Sequence, residues 1–231
     1  MSSLNTSPSP PLDRRRRKTQ EALLTAGERL FLTRGFLATT VEDLAEEADV
    51  AIGSLYGNFA GKDGLYVALI RRALDLDKHY CDRGWAAGDD PVSRMIGLAE
   101  GYAQFCREHP GYFRLFRVPI TGAPSGARAT AEVARLVECR TREEIVRMSE
   151  ALREAIDARI IRDVDPERTA RILWAMWDGV LALSLQNDAP VKAEMDRILA
   201  QTQQFIRPPC SANPADVGHC SAMRWQCPPG C

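Results

Sequence analysis

Side chains that could contact a nucleic acid recur between residues 40 and 62. Thr40 stands where a helix is predicted to start, so its hydroxyl and the exposed amides there can hold a phosphate. Lys62 opens a later helix and can neutralise another phosphate. Between them lies a segment that we expect to face the groove of a duplex: Ile52, Gly53, Ser54, Tyr56 and Asn58. Ile52 would read a base pair by apolar contact with a thymine methyl group.

Five consecutive basic residues, Arg14 to Lys18, precede or open the first predicted helix. Positive charge at a helix N-terminus opposes the helix dipole, so helix stability does not explain this run. One interpretation is a flexible arm that follows the DNA backbone or enters the minor groove, with Arg17 and Lys18 in contact. The other interpretation is a disordered, solvated run of charge.

Signatures of other chemistries are missing from the sequence. No phosphate-binding loop, Gly-x-Ser-x-Gly elbow or metal-binding histidine pair occurs, and the histidines are limited to His79, His109 and His219. We therefore expect neither an enzyme nor a bound cofactor. A metal or redox sensor is the remaining alternative, but its candidate ligands lack the compact spacings of structural zinc sites, so we expect no metal. Those candidates are Cys210, His219, Cys220, Cys227 and Cys231.

The composition is that of an ordinary globular protein, with 231 residues, 45% of them hydrophobic and 26% charged. The net charge of -1 gives no global attraction to nucleic acid, so a basic surface must be local. The first thirteen residues contain no apolar stretch that could serve as a secretory signal. The apolar segment from Ile172 to Leu185 is interrupted by Asp178 and Gly179 and is too short to cross a bilayer. We therefore expect a cytoplasmic protein that makes no contact with a membrane.

Apolar residues recur at helical spacing almost throughout, which predicts an all-α fold. The first helix follows the basic run and ends at Gly35, where a left-handed cap is expected. The second opens at Thr39 or Thr40, each followed three residues later by an acid, and Asp49 forms a tight corner after it. A third short helix covers about 52–58, and a long fourth begins at Lys62. Later helices are predicted over about 92–108, 112–118, 125–161, 166–187 and 191–207.

Two short helices joined by a tight corner and flanked by longer ones form the layout of a helix-turn-helix, in which the second short helix enters the major groove. Over residues 18–80 the sequence resembles the tetracycline-repressor (TetR) family. The resemblance rests on Thr39-Thr40-Val41-Glu42-Asp43-Leu44-Ala45 and on Gly53-Ser54-Leu55-Tyr56-Gly57-Asn58-Phe59, followed by Lys62, Leu65 and Tyr66. It implies a DNA-binding regulator, most simply a repressor of a palindromic operator, which a small molecule releases.

The sequence departs from the family pattern beside the third helix. Asp49, Ala51 and Ile52 stand where the family commonly has Gly, a small hydroxyl residue and Lys, which puts a cap and a phosphate contact in doubt. The alternative to a DNA contact is a partly buried core ring for Tyr56 and an ordinary solvated charge for Lys62.

The resemblance also implies that the larger helical part binds an effector and pairs with a second copy. By position, the last two helices would form the dimer interface, with Trp177, Val180, Leu181, Ser184, Met195 and Ile198 in contact. Middle and late helices would line the effector pocket with Tyr102, Phe105, Cys106, Phe113, Phe116, Trp174, Trp177 and Asp178. Packing within one chain is the alternative for both sets. Asp178 needs a partner, which could be an arginine, an interface amide or a cationic ligand.

These patterns divide the chain into four parts. Residues 1–13 are expected to be disordered, 14–61 to form the DNA-binding domain and 62–207 to form the effector-binding and dimerisation domain. The tail over 208–231 changes abruptly to Pro, Cys, Gly and Ser, and its apolar residues show no period that could pack a core. We expect the tail to be disordered.

Truncation after Arg207 should therefore leave the melting temperature and the affinity for operator DNA within error of the full chain, because a segment that buries so little cannot offset the entropy of ordering. Thermal unfolding and DNA titration of both proteins would test this. A large loss of stability, or stoichiometric zinc in the full chain, would revive the metal-sensor alternative.

Overall fold

A computed structural model describes residues 11–117 and 127–186, together with residue 197. Within these residues all the regular structure is helical, so the predicted all-α fold is confirmed. No described helix combines the length and the apolar character that a membrane span requires. The eight described helices are α1 (Pro11–Thr33), α2 (Val41–Glu47), α3 (Ile52–Phe59), α4 (Lys62–Ala86), α5 (Pro91–Glu108), α6 (Pro110–Arg117), α7 (Ala127–Asp157) and α8 (Pro166–Gln186).

The start of α1 differs from the prediction. The helix begins at Pro11, before the basic run, so Arg14 to Lys18 are helical and exposed instead of forming a flexible arm. Proline is well suited to a first helical position, and Asp13 places a negative charge in the first turn. Apart from residue 197, the predicted last helix over 191–207, with Met195 and Ile198, lies outside the described residues, as does the tail over 208–231. The side chains of Phe116 and Ser184 do so as well.

The helix-turn-helix is held by a cluster of three aromatic rings. The ring centroids of Phe31 and Phe36 are 5.3 Å apart, and Tyr66 of α4 lies 5.7 Å from Phe31 and 5.3 Å from Phe36. Gly35 has a φ of 83°, which confirms the predicted left-handed cap and turns the chain so that Phe36 packs back on α1. Asp49 adopts a φ of 51° at the corner between α2 and α3, a conformation that aspartate tolerates better than most residues.

Helices α4 and α5 pack with their backbones almost in contact. A Cβ atom on Gly84 would lie 1.9 Å from the carbonyl oxygen of Gly97, and one on Gly101 would lie 2.3 Å from that of Tyr80. Glycine is therefore required at these positions by the close approach of the two helices. This contact fixes α4, which begins directly after the DNA-binding domain, against the core of the larger domain.

A charged cluster is buried between α4 and α7. Arg140 Nε lies 3.1 Å from Asp77 Oδ2, and the same guanidinium pairs with Glu144. The Cys81 thiol lies 3.6 Å from Asp77 Oδ1, and Arg147 lies 3.7 Å from Glu144 at the edge of the cluster. Two deeply buried carboxylates thus share one deeply buried guanidinium. Burial raises the pKa of Asp77 to about 6, although Arg140 opposes the shift.

The raised pKa of Asp77 predicts a dependence of stability on pH. The folded state holds this proton more tightly than the unfolded chain, whose aspartates titrate near pH ~3.9. The contribution of Asp77 to stability is therefore greatest below about pH 4 and declines as the pH rises towards 6. Relative to Asp77→Asn, the native chain should lose about 1 to 2 kcal/mol of unfolding free energy between about pH 4.5 and pH 7.

Urea unfolding at the two pH values would measure this difference. Asp82→Asn, at a more exposed position on the same helix, is the control and should retain the decline. Parallel pH profiles of unfolding free energy for the native chain and Asp77→Asn would contradict the raised pKa of Asp77.

Candidate functional site

The first turn of α2 carries the predicted capping box, with Thr40 rather than Thr39 as the cap. Thr40 Oγ1 accepts a hydrogen bond from the Asp43 amide at 3.0 Å, and the Thr40 amide donates to Asp43 Oδ2 at 2.9 Å. The latter bond is the main cause of the lowered pKa of Asp43. Thr40 is exposed, and its hydroxyl hydrogen can still be donated to a phosphate. Thr39 is buried and donates to the carbonyl of Gly35 instead.

Helix α3 buries one side and exposes the other. Leu55 is fully buried, whereas Ile52 is 42% exposed and Tyr56 is 56% exposed. The alternative of a buried core ring for Tyr56 is therefore wrong. Gly53 and Gly57 are also exposed, and a Cβ atom on either would meet no other atom within 4 Å. The outer side of α3 is thus a shallow surface with one isoleucine and one tyrosine projecting from it.

Asn58 departs from its predicted place on this surface. It is half-buried, and its Nδ2 donates to the carbonyl of Ser54 at 2.7 Å. Its Oδ1 is buried, with no hydrogen-bond donor among the described residues. The side chain therefore folds back on its own helix and away from the groove-facing set.

Lys62 is neither a solvated charge nor an uncommitted phosphate ligand. Its Nζ donates to the carbonyls of Phe36 at 2.9 Å and Thr39 at 2.8 Å, and it lies 4.3 Å from the centre of the Phe36 ring. The ammonium thus holds the loop between α1 and α2 against the start of α4. One of its three N–H donors remains for a phosphate, so the predicted contact remains a prediction and loss of Lys62 would also disturb the fold.

A groove of about 560 Å³ lies between α1 and the start of α3. Arg15 and Lys18 line it from α1, and Ala51 and Ser54 line it from the other side. Ala51 is the N-cap of α3 and offers no side-chain hydrogen bond, as the departure from the family pattern suggested. Two basic side chains therefore face the uncapped end of a helix, an arrangement that favours a phosphate in spite of the Asp49 carboxylate at the margin.

The predicted effector residues form part of the core of the larger domain. Tyr102 stacks on Trp174 with ring centroids 5.1 Å apart and lies 6.0 Å from Phe113. The Tyr102 hydroxyl donates to Asp178 Oδ1 at 2.8 Å, which supplies a partner that the sequence did not reveal. The Phe105 ring lies 6.1 Å from the Tyr80 ring. Cys106 is a buried thiol and Trp177 is also buried.

Helix α6 contacts both the aromatic core and the DNA-binding domain. Tyr112 hydrogen-bonds to Glu28 of α1, and the Leu115 carbonyl accepts from the Tyr66 hydroxyl at 2.8 Å. Phe113 reaches the Tyr102 ring from the same helix. Burial raises the pKa of Tyr66 to about 12, so it is a neutral donor at physiological pH. The contacts of Tyr112 and Tyr66 could not be predicted from the sequence, because the residues they contact lie 84 and 49 positions away along the chain.

Helix α8 corrects two of the dimer-interface predictions. Trp177 is 1% exposed and Leu181 is 0% exposed within the single chain, so both pack in its own core. The exposed apolar residues on this helix are instead Ile172 at 60% and Leu183 at 58%. Val180 is half-buried, as is Met176, and both also pack against the core. An apolar side of α8 is thus exposed, but it is offset from the predicted one.

Two family models match the sequence. The first, described as bacterial regulatory proteins of the tetR family, matches residues 23–69. The second, described as a tetracyclin repressor-like C-terminal domain, matches residues 95–204. The chain belongs to the TetR family. The first match includes α2, α3 and the start of α4, so the helix-turn-helix geometry and the family assignment refer to the same residues.

Individual TetR-family relatives resemble this chain either over a short segment or at low identity. The transcriptional repressor KstR2 of Mycobacterium tuberculosis is 39% identical over 77 residues, which are 33% of this chain and 38% of KstR2. That alignment therefore spans less than half of the relative. The transcriptional activator FasR of Mycolicibacterium smegmatis is 27% identical over 203 residues, 84% of this chain and 82% of FasR. A SmeT–triclosan complex has a TM-score of 0.67 at 22% identity and covers 83% of this chain and 92% of SmeT, which shows the fold alone.

Arg15→Ala and Lys18→Ala should each weaken binding to a duplex of random sequence. Each should also lower the slope of log affinity against log salt by about one per subunit, because one released counterion per phosphate contact is lost. Titration of a labelled duplex between about 50 and 200 mM salt would measure the slopes. Arg153→Ala, on the exposed surface of α7, is the matched control. Unchanged slopes in both groove variants would remove the groove from the DNA-binding surface.

Proposed function

We propose that this TetR-family chain is a ligand-responsive repressor that binds a palindromic DNA operator as a homodimer. The exposed side of α3 carries the proposal, because its projecting side chains have no role in the core of the described structure. A helix that exposes Ile52 and Tyr56 and is flanked by basic residues has the form of a helix that enters the major groove. KstR2, which is 39% identical to this chain over 77 residues, is a repressor, and this supports repression as the mode of regulation.

The surface divides into contacts that position the protein and contacts that read bases. Arg15 and Lys18 bind phosphate beside the start of α3, and the Thr40 hydroxyl binds a second phosphate at the start of α2. Ile52 contacts a thymine methyl, and the Tyr56 hydroxyl donates to the DNA backbone. Gly53 and Gly57 leave space for the α3 backbone to approach the bases.

The homodimer follows from the symmetry that a palindrome requires and from the exposed apolar side of α8. Ile172, Met176, Val180 and Leu183 recur at spacings of three and four, so they lie on one side of the helix. Two copies of this side, related by a two-fold axis, would bury each other and hold the two α3 helices about one helical turn apart, about 34 to 36 Å.

The effector acts through the aromatic core around Tyr102, and α6 transmits its binding. An effector that displaces Phe113 moves a helix that also contacts Glu28 through Tyr112 and Tyr66 through the Leu115 carbonyl. The α3 helices then leave the spacing that fits the operator. The SmeT complex with triclosan shows that a protein of this fold accommodates a small apolar molecule.

Ile172→Arg should convert the dimer to a monomer and abolish tight operator binding, because it places a charge on the interface without entering the core of the single chain. Light scattering and circular dichroism would report the mass and the helical content. Leu37→Arg is the control, since Leu37 is similarly exposed, at 64%, but lies between α1 and α2. A stable dimer of Ile172→Arg would exclude this side of α8 as the interface.

A further inference from the structure

Two indole N–H donors are buried in the aromatic core without an acceptor. Trp174 is 6% exposed and Trp177 is 1% exposed. The Nε1 atom of each has no hydrogen-bond partner among the described residues. A buried donor without an acceptor costs about 1 to 3 kcal/mol, and native structures leave few such donors unpaired. The pair therefore calls for an acceptor that the described protein does not supply.

The surroundings of these donors restrict what the acceptor can be. Trp174 stacks on Tyr102 with the ring planes 21° apart, and Phe113 closes another side of the Tyr102 ring. Aromatic rings of this kind interact best with flat, apolar molecules. The hydroxyl of Tyr102 is already engaged with Asp178, whose carboxylate, when ionised, would repel an anion. Trp174 and Trp177 are three residues apart on α8, so they are neighbours on that helix.

We infer that the effector is a flat, uncharged, largely aromatic molecule that carries a carbonyl oxygen, which accepts hydrogen bonds from the indoles of Trp174 and Trp177. A carbonyl oxygen has two lone pairs, so one such group can serve both donors. The inference rests on the proposed function in one respect, namely that this core is where the effector binds. It adds the chemical class of the effector and the two residues that select for it.

A matched pair of probes separates this hydrogen bonding from simple apolar burial. Fluorenone and fluorene have nearly the same shape, but only fluorenone has a carbonyl oxygen. Equilibrium dialysis should show that the native chain binds fluorenone about 5- to 20-fold more tightly than fluorene, the ratio expected for one or two net hydrogen bonds. Fluorene-9-carboxylate, the anionic probe, should bind more weakly than either.

Substitution of the tryptophans tests the residues. Trp174→Phe and Trp177→Phe should each lower the fluorenone-to-fluorene ratio by about 2- to 5-fold, since each removes one donor and keeps an aromatic ring. Dividing the fluorenone affinity by the fluorene affinity corrects for any loss of packing, because fluorene binding depends on packing and not on these hydrogen bonds. Trp85→Phe, a half-buried tryptophan of α4 beside Arg94 and Arg147, is the control and should leave the ratio unchanged.

A ratio near one in the native chain, or a ratio that neither substitution changes, would overturn the inference. Failure of both probes to bind at their solubility limits would overturn it as well. The dialysis contains no DNA, so its result is independent of whether the chain binds an operator. A chain that selects fluorenone but binds no duplex would refute the proposed DNA-binding function and support the proposed ligand class. A chain that binds an operator but does not prefer fluorenone to fluorene would support the DNA-binding function and refute the ligand class.

Discussion

The packing of α4 is the constraint on which the rest of the structure depends. Its first turns carry Tyr66 into the ring cluster with Phe31 and Phe36, and its last turns lie against the backbone of α5 at Gly84. Protein interiors are packed as densely as organic crystals, so neither contact can yield without a shift of its neighbours. The orientation of α3 is consequently tied to the core of the larger domain through a helix that the two domains share.

The chemistry of the chain is distributed around this helix. Basic side chains are concentrated at the start of α1, where they face the uncapped end of α3, and the net charge of -1 shows that acidic residues elsewhere balance them. The middle of α4 instead buries Asp77 against Arg140, a pairing that adds little net stability after the cost of desolvation. Such a cluster fixes the register of α4 against α7 more than it strengthens their contact. Because α4 contacts both domains and its register is fixed, a displacement at the end in the larger domain can be transmitted to the end beside the DNA-binding helices.

Much of this arrangement could be predicted from local sequence. Helix periodicity, the capping box at Thr40, the cap at Gly35 and the corner at Asp49 depend on neighbouring residues only, and all of them are found. Features that depend on distant contacts were missed. Lys62 binds carbonyls 23 and 26 residues earlier. Burial on α8 is decided by which side of the helix faces α7 and α5, and periodicity alone does not reveal this.

The most direct test of the account is selection of bound duplexes from a pool of random sequences by the full chain. The account predicts that the enriched duplexes share an inverted repeat whose half-site centres lie about one helical turn apart, because two α3 helices read them across a two-fold axis. A pool with no common sequence after repeated rounds, or one enriched in a single half-site without symmetry, would contradict it.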